Sequence, residues 1–164
     1  MSLTKDLQQI LETALPIDPS FRRIDKAVID SCISETQRYA WDGSVEAFLM
    51  SAMRLLALPQ NGHTRLIPND AISVLPLRFV SVGRSVQVFG AAPGVIAPRG
   101  KLIAINGAAL SQIEAAAKNF LAGTRQRKGV IGPILYAWPY ALARLVFCHT
   151  VKRPNIVYRT KTVR

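Results

Sequence analysis

The first 60 residues carry apolar side chains at the three- and four-residue spacing of amphipathic helices. In the opening segment this spacing ends at Pro16, which lacks a backbone N–H and therefore predicts the end of the first helix. A second helix is expected from Asp18-Pro19, because aspartate is a favoured N-cap and proline fits the first helical position. The apolar positions are Leu3, Leu7, Ile10, Leu11 and Leu15 in the first helix, and Phe21, Ile24, Val28 and Cys32 in the second.

A third helix is predicted after Asp42-Gly43-Ser44, which combines a helix-ending glycine with a serine N-cap. Its expected inner face consists of Val45, Phe48, Leu49, Ala52, Met53 and Leu56. Three amphipathic helices joined by short connections predict a small helical bundle over residues 1–60.

From residue 61 the pattern changes to short β-branched runs separated by glycine and proline, which is typical of β-strands. Asn61-Gly62 is a strong hairpin signal, because both residue types tolerate positive φ. Two further tight turns are expected, at Gly83-Arg84 and at Asn106-Gly107. Residues 61–125 are therefore predicted to form a strand-rich module.

One helix belongs to this module, in the segment LSQIEAAAKNFLAG that follows the Asn106-Gly107 turn. Ser111 and Glu114 have the spacing of a capping box, in which each side chain satisfies a free backbone N–H of the first turn. Gly123 is expected to end the helix.

The remaining residues, 126–164, contain an apolar helix followed by terminal strands. The apolar run from Val130 to Phe147 approaches the length of a membrane span, but Pro133, Pro139 and Arg144 interrupt it and both flanks are basic. We therefore predict a buried helix and no transmembrane span. The order of helices, strands, helices and strands predicts an α+β fold.

The charge of the chain is distributed unevenly. Residues 1–70 hold seven Lys/Arg and nine Asp/Glu, whereas residues 71–164 hold fourteen Lys/Arg and a single acid, Glu114. A basic half of this kind indicates an acidic partner: nucleic acid, an anionic surface, or a domain that lies outside this chain.

The residue types that bind metals or perform covalent catalysis are few. Cys32 and Cys148 lie far apart and are expected to be buried thiols. Together with His63 and His149 they have no ligand spacing, so no metal site is predicted. A glycine-rich phosphate loop and a GxSxG nucleophile elbow are also absent, and no cofactor is expected.

His63 is the residue best placed for catalysis. It directly follows the Asn61-Gly62 turn, and Thr64 and Arg65 stand beside it. Histidine is the most frequent general base, because its unperturbed pKa lies close to neutral pH. A histidine base also needs a nucleophile within hydrogen-bond reach, which the sequence alone does not identify.

Three segments in order, LPQNGHTRLIP, LPLRF and GKLIAINGAALSQIEAA, resemble the N-terminal half of the tail-specific, or C-terminal-processing, serine peptidases. The similarity is to their tricorn-like and retinoid-binding-protein-like branch, and it extends over residues 20–145. In that family a helical segment leads into an Asp-Gly-His-Thr-like turn, followed by a strand and by a strand-turn-helix of a PDZ-type module.

The resemblance implies a role for each matching residue. His63 would be the general base that takes a proton from a serine of a later, crotonase-like domain, and Thr64 would support it. Gly62 would be required for the turn. Gly62 and the Asn106-Gly107 turn would also contact the peptide substrate. No metal or organic cofactor takes part in this chemistry.

Two departures from the family pattern bear on activity. Asn61 stands where the family usually has aspartate, which removes a negative charge beside the histidine. The chain also ends at Arg164, about where the catalytic domain of the family would begin. We therefore expect the front part of a serine peptidase, inactive as this chain alone, that positions a histidine and helps to bind a peptide or protein substrate.

Two alternatives remain open. One is a stand-alone peptide-binding module that needs neither a serine nor His63. The other is a basic nucleic-acid-binding protein that uses the loop cations Arg125, Arg127 and Lys128, and its binding would weaken steeply with added salt. The sequence contains no visible secretory signal, which is consistent with a cytoplasmic protein, or with an exported one whose leader has been removed.

Overall fold

The computed structural model describes residues 2–66, 78–83, 85–89, 100–105, 107–117, 119–120 and 156–159. The chain divides into two compact units, Met1–Ile72 with Lys118–Lys128, and Ser73–Ala117 with Gly129–Arg164. The described part of the first unit is helical, and that of the second is a small antiparallel sheet with one helix. The predicted mixed α+β class is therefore confirmed.

The helical unit begins with a continuous helical segment that changes its hydrogen-bonding pattern twice. Helix α1 (Leu3–Gln9) passes through a π-helical turn (Ile10–Ala14) into a short α2 (Leu15–Ile17). The prediction that Pro16 stops this segment is wrong by one residue, because the segment runs to Ile17. Proline fits here because its φ is helical and the preceding π-turn has already shifted the hydrogen-bond ladder.

The second predicted helix is divided into two. Asp18 caps a 3₁₀ helix (Pro19–Arg23), and Asp25 caps α3 (Lys26–Trp41) by accepting a hydrogen bond of 2.8 Å from the Ala27 N–H. The break between them changes which face of α3 is buried. Val28, which was expected on the inner face, is exposed, and the residues that α3 buries are Cys32, Thr36 and Ala40.

Helix α4 (Val45–Ala57) is the most deeply buried of the described elements of the helical unit, and it packs against α3. Gly43, at φ +71°, makes the turn between them, as the sequence indicates. Val45 is exposed instead of lying on the predicted inner face, but Phe48, Ala52, Met53 and Leu56 are buried as predicted. Phe48 contacts the Leu7 region of α1, so that α1 completes this core.

The described residues of the second unit form five strands, and each strand pair among them is antiparallel. β1 and β2 form a hairpin whose turn contains Gly83 at φ +59°, and Gly107 at φ +82° lies in the turn between β3 and β4. Both turns were predicted. The strands are β1 (Arg78–Val82), β2 (Ser85–Phe89), β3 (Gly100–Ile105), β4 (Ala108–Ala109) and β5 (Ile156–Arg159).

One face of the sheet is covered by helix α5 (Leu110–Ala117), whose Ile113 is fully buried. The alternation of buried and exposed side chains along the strands gives this sheet one apolar core face. The residues of this core are Phe79, Val86, Val88, Leu102, Ile105 and Ile113.

The start of α5 differs from the predicted capping box. The helix begins at Leu110, so Ser111 lies inside it and Glu114 does not cap it. Instead the Gln112 side chain reaches back and accepts a hydrogen bond of 2.9 Å from the Ala109 N–H. Gln112 is therefore the third helical residue of a one-sided capping box, in which Ala109 replaces the usual serine or threonine.

This geometry gives a prediction for two exposed side chains of α5, Gln112 and Glu114, which lie two positions apart. Gln112→Ala should lower the free energy of unfolding by about 0.5–1 kcal/mol, because it leaves the Ala109 N–H without its acceptor. Glu114→Ala is the matched control and should change it by less than about 0.5 kcal/mol. Urea unfolding of the two variants measures these changes. A larger loss of unfolding free energy in Glu114→Ala than in Gln112→Ala would contradict this cap and favour the predicted capping box of Ser111 and Glu114.

Within the residues that the structure describes, no helix has the length and apolar character needed to cross a bilayer. The apolar run at 130–147, the predicted end of the LSQIEAAAKNFLAG helix at Gly123 and the basic loop at 125–128 lie outside those residues.

Candidate functional site

The loop that carries His63 follows the C-terminus of α4. The Leu58 and Gln60 N–H groups donate to the carbonyls of Leu55 and Ala57, and Gln60 has a positive φ of 53°. The described glycines with positive φ do not include Gly62. Asn61-Gly62 is therefore not the two-residue hairpin turn that the sequence predicted, since a helix precedes it and Gln60 makes the sharp reversal. Residues 62–64 form a bend.

The Asn61 side chain holds this bend. Its Oδ1 accepts hydrogen bonds from the His63 N–H at 2.7 Å and from the Thr64 N–H at 3.1 Å. Asparagine side chains often fold back in this way onto backbone N–H groups two and three residues later. The conformation of the chain at His63 therefore depends on the orientation of one carboxamide.

The other end of the same carboxamide is fixed by the helical unit. Asn61 Nδ2 donates to Asp18 Oδ2, and also to Ser20 Oγ at 3.0 Å. A carboxylate only accepts hydrogen bonds, so it must face the NH₂ group of Asn61 and not its oxygen. Asp18 thus sets which end of the Asn61 amide points toward His63.

Thr64 forms a second link to the same carboxylate. Its Oγ1 donates to Asp18 Oδ2 at 2.5 Å, while Asp18 Oδ1 accepts from the Ser20 N–H at 2.9 Å. Asp18 is buried although it is charged, and these hydrogen bonds replace the water that it loses. We name the four residues Asp18, Ser20, Asn61 and Thr64 the loop clamp.

The loop clamp lowers the pKa of Asp18. Burial of the carboxyl raises that pKa, but hydrogen bonds from the Thr64 hydroxyl, from the backbone and side chain of Ser20, and from Asn61 together outweigh burial. The net result is a pKa below the ordinary value of 3.8. The ionised form of Asp18 is therefore the form that the fold stabilises.

A pH dependence follows from this shift. Because the folded pKa is lower than the unfolded one, the contribution of Asp18 to stability is fully present above the unfolded value of 3.8 and is lost as the pH falls through the folded value. Urea unfolding between pH 6 and pH 2 should show a loss of stability below about pH 4 that is smaller in Asp18→Asn. An equal loss in that variant would contradict the assignment.

The His63 imidazole is exposed. Among the described residues no side chain hydrogen-bonds it, and only its backbone N–H takes part in the loop clamp. The structure thus places His63 on a loop whose backbone is anchored and whose ring is accessible. The side chain of Thr64, the residue predicted to support the histidine, binds Asp18.

The remaining predicted site residues occupy different positions. Gly62 lies in the bend between Asn61 and His63, in the helical unit. Gly107 belongs to the turn between β3 and β4 in the sheet unit, and Asn106 lies outside the described residues. Asp18 and Ser20 were not predicted, since Asp18-Pro19 indicated only a helix cap and the contact with Asn61 spans 43 positions.

The described residues form no group of three His, Cys, Asp or Glu side chains that could hold a metal ion. Cys32 is buried as predicted, and burial raises the pKa of its thiol, with Glu35 adding to this and Arg54 opposing it. A buried, protonated thiol is a poor nucleophile. Cys148 and the second histidine, His149, lie outside the described residues.

No protein-family model, no characterised protein and no solved structure matches this chain.

Proposed function

We propose that the chain is the front part of a serine-type peptidase and that His63 is its general base. The observation that carries this proposal is the combination of an anchored backbone and an accessible ring at His63. A general base must be presented to its partner in a fixed position, because each misplacement of the reacting groups raises the barrier. The loop clamp supplies that fixation, and the exposed ring leaves room for a partner.

The proposed reaction is hydrolysis of a peptide bond through an acyl-enzyme. The imidazole of His63 accepts the proton of a serine hydroxyl, and the activated oxygen attacks the substrate carbonyl. The serine belongs to a crotonase-like domain outside this chain, as the similarity to tail-specific peptidases implies. In the same proposal the first 60 residues form a three-helix bundle and the sheet unit is of PDZ type.

The test uses the product that the source cells make from this gene, isolated with an antibody raised against the chain. We expect that product to be heavier than 18.0 kDa and to hydrolyse a pool of unstructured peptides. Hydrolysis should stop after treatment with a serine-directed sulfonyl fluoride. The 164-residue chain is the control and should be inactive. A product that shows no hydrolysis, or hydrolysis that is indifferent to the reagent, would contradict the proposal.

A second candidate, a stand-alone peptide-binding module, is favoured by the edge of the sheet. Among the described strands β1 pairs only with β2, and its Val80 and Val82 are exposed. Because Val82 and Ser85 close a two-residue hairpin, they exchange the hydrogen bonds between the strands. The N–H group of Ser81, one position before this pair, therefore points away from β2, where an extended peptide would add a strand.

A proline substitution separates the two candidates. Ser81→Pro removes one outward N–H without removing a hydrogen bond to β2, so it should abolish binding to a library of ten-residue peptides. His63→Ala is the matched variant and should leave the peptide affinity unchanged if this module acts alone. Binding that survives Ser81→Pro would exclude addition of a strand at β1.

A further inference from the structure

The sequence contains Asn61 at the position where the tail-specific peptidases usually have aspartate, so the loop itself lacks a carboxylate. The structure places a carboxylate against this loop from elsewhere in the chain. Asp18, at the start of the 3₁₀ helix, contacts both Asn61 and Thr64, the residues on either side of the Gly62-His63 pair. The acceptor therefore comes from a segment more than 40 positions upstream.

We propose that Asp18 is a positioning residue for His63 and acts on it through Asn61. The chain of contacts has two steps. The carboxylate of Asp18 binds the NH₂ end of Asn61, and the oxygen end of Asn61 then accepts the N–H of His63 at 2.7 Å. Thr64 closes the same path on the other side of the histidine, since its hydroxyl binds Asp18 and its N–H binds Asn61.

A neutral acceptor at position 18 would hold the Asn61 amide less firmly than the aspartate does. A hydrogen bond to a carboxylate is stronger than one to a neutral acceptor, and the buried Asp18 carboxylate accepts hydrogen bonds from the Ser20 N–H, the Asn61 NH₂ group and the Thr64 hydroxyl. When the carboxylate is removed, the Asn61 amide loses the partner that orients it and can rotate. The Oδ1 atom then no longer faces the N–H groups of His63 and Thr64.

Amide hydrogen exchange of the 164-residue chain tests this directly. In Asp18→Ala the His63 and Thr64 amides should exchange at least about tenfold faster than in the unaltered chain, because their acceptor is released. Amides in the middle of α3 and α4 should change only as far as global stability does. Local release that exceeds the global effect distinguishes positioning from a general loss of stability.

Asp25→Ala is the matched control. Asp25 also caps a helix of the same unit through a backbone N–H, at 2.8 Å, but among the described residues no hydrogen bond links it to the loop. We expect Asp25→Ala to leave the His63 and Thr64 amides unchanged relative to the helix amides. Equal behaviour of the two variants at these amides would overturn the proposal.

That this positioning serves catalysis rests on the proposed function. A second measurement, of hydrolysis, tests the proposed function separately from the positioning of His63 by Asp18. In the product isolated from source cells, Asp18→Ala should lower kcat about tenfold or more with little change in KM, whereas Asp25→Ala should leave kcat as it is. If His63→Ala proves to have no effect on hydrolysis, the proposed function fails. The exchange result at His63 still decides whether Asp18 positions the loop.

Discussion

Replacing His63 by alanine is expected to reduce peptide hydrolysis by the complete protein about 10²–10⁴-fold, which is the usual contribution of a general base. The ring accepts the serine proton in the proposed mechanism, and alanine has no group that can do so. The substitution should alter the free energy of unfolding by less than about 0.5 kcal/mol, because the side chain is exposed and contributes only its backbone N–H to the loop clamp.

Arg65→Ala is the control for this experiment, since Arg65 is exposed and lies two positions along the same loop. It removes a charge and a long side chain without touching the loop clamp. Steady-state hydrolysis and urea unfolding of the two variants should therefore give a catalytic defect for His63→Ala only. Hydrolysis by His63→Ala within a factor of two of the unaltered protein would remove His63 from the mechanism.

Replacing Asn61 by aspartate is expected to destabilise this protein. The substitution preserves shape but removes the NH₂ donor and places a second carboxylate against Asp18. A charge that loses its partner in a buried site costs several kcal/mol, and we expect about 2–3 kcal/mol here because Asn61 is only half-buried. Urea unfolding at pH 7 measures this loss.

The pH dependence of the stability loss in Asn61→Asp tests whether repulsion between the two carboxylates causes it. Two adjacent carboxylates raise the pKa of one of them, so the penalty in Asn61→Asp should be largest near neutral pH and should shrink as the pH falls toward about 4. The exchange variant Asp18→Asn with Asn61→Asp restores one carboxylate and one carboxamide in contact. It should recover more than half of the lost stability, and failure to recover any would contradict the pairing.

The elements with strong local signals could be predicted from the sequence, and the reasons are visible in the structure. Gly83 and Gly107 have positive φ values in tight turns, which few residues other than glycine adopt. The buried stripe of α4 follows helical spacing because one side of it packs against α3. These features depend on residues close together in the chain, so periodicity and turn chemistry reveal them.

The errors came from competition between local signals. Asn61-Gly62 favours a hairpin, but the preceding helix ends at Ala57 and Gln60 takes the positive φ, which leaves the Asn61 side chain to hold a bend. Ser111 and Glu114 have capping-box spacing, yet Gln112 is at the third helical position because the helix begins at Leu110. When a turn or a helix start is locally acceptable at two neighbouring positions, only the tertiary contacts decide between them.

The loop clamp itself could not be predicted. Asp18 and Asn61 are 43 positions apart, and each has a complete local explanation, as a helix cap and as a turn residue. Only the folding of α3 against α4 brings the two ends of this segment together. A candidate base could therefore be named from the sequence, whereas the residue that positions it could not.

A double-mutant cycle on Asp18 and Asn61 tests the central claim most directly. Unfolding by urea at pH 7 would be measured for the unaltered chain, Asp18→Ala, Asn61→Ala and the double variant. If the Asp18 carboxylate holds the Asn61 amide, the losses of unfolding free energy in the two single variants should add up to more than the loss in the double variant. The difference should be at least about 1 kcal/mol. Losses that add to within about 0.3 kcal/mol would show that the two side chains act independently, and the loop carrying His63 would then not be held by Asp18.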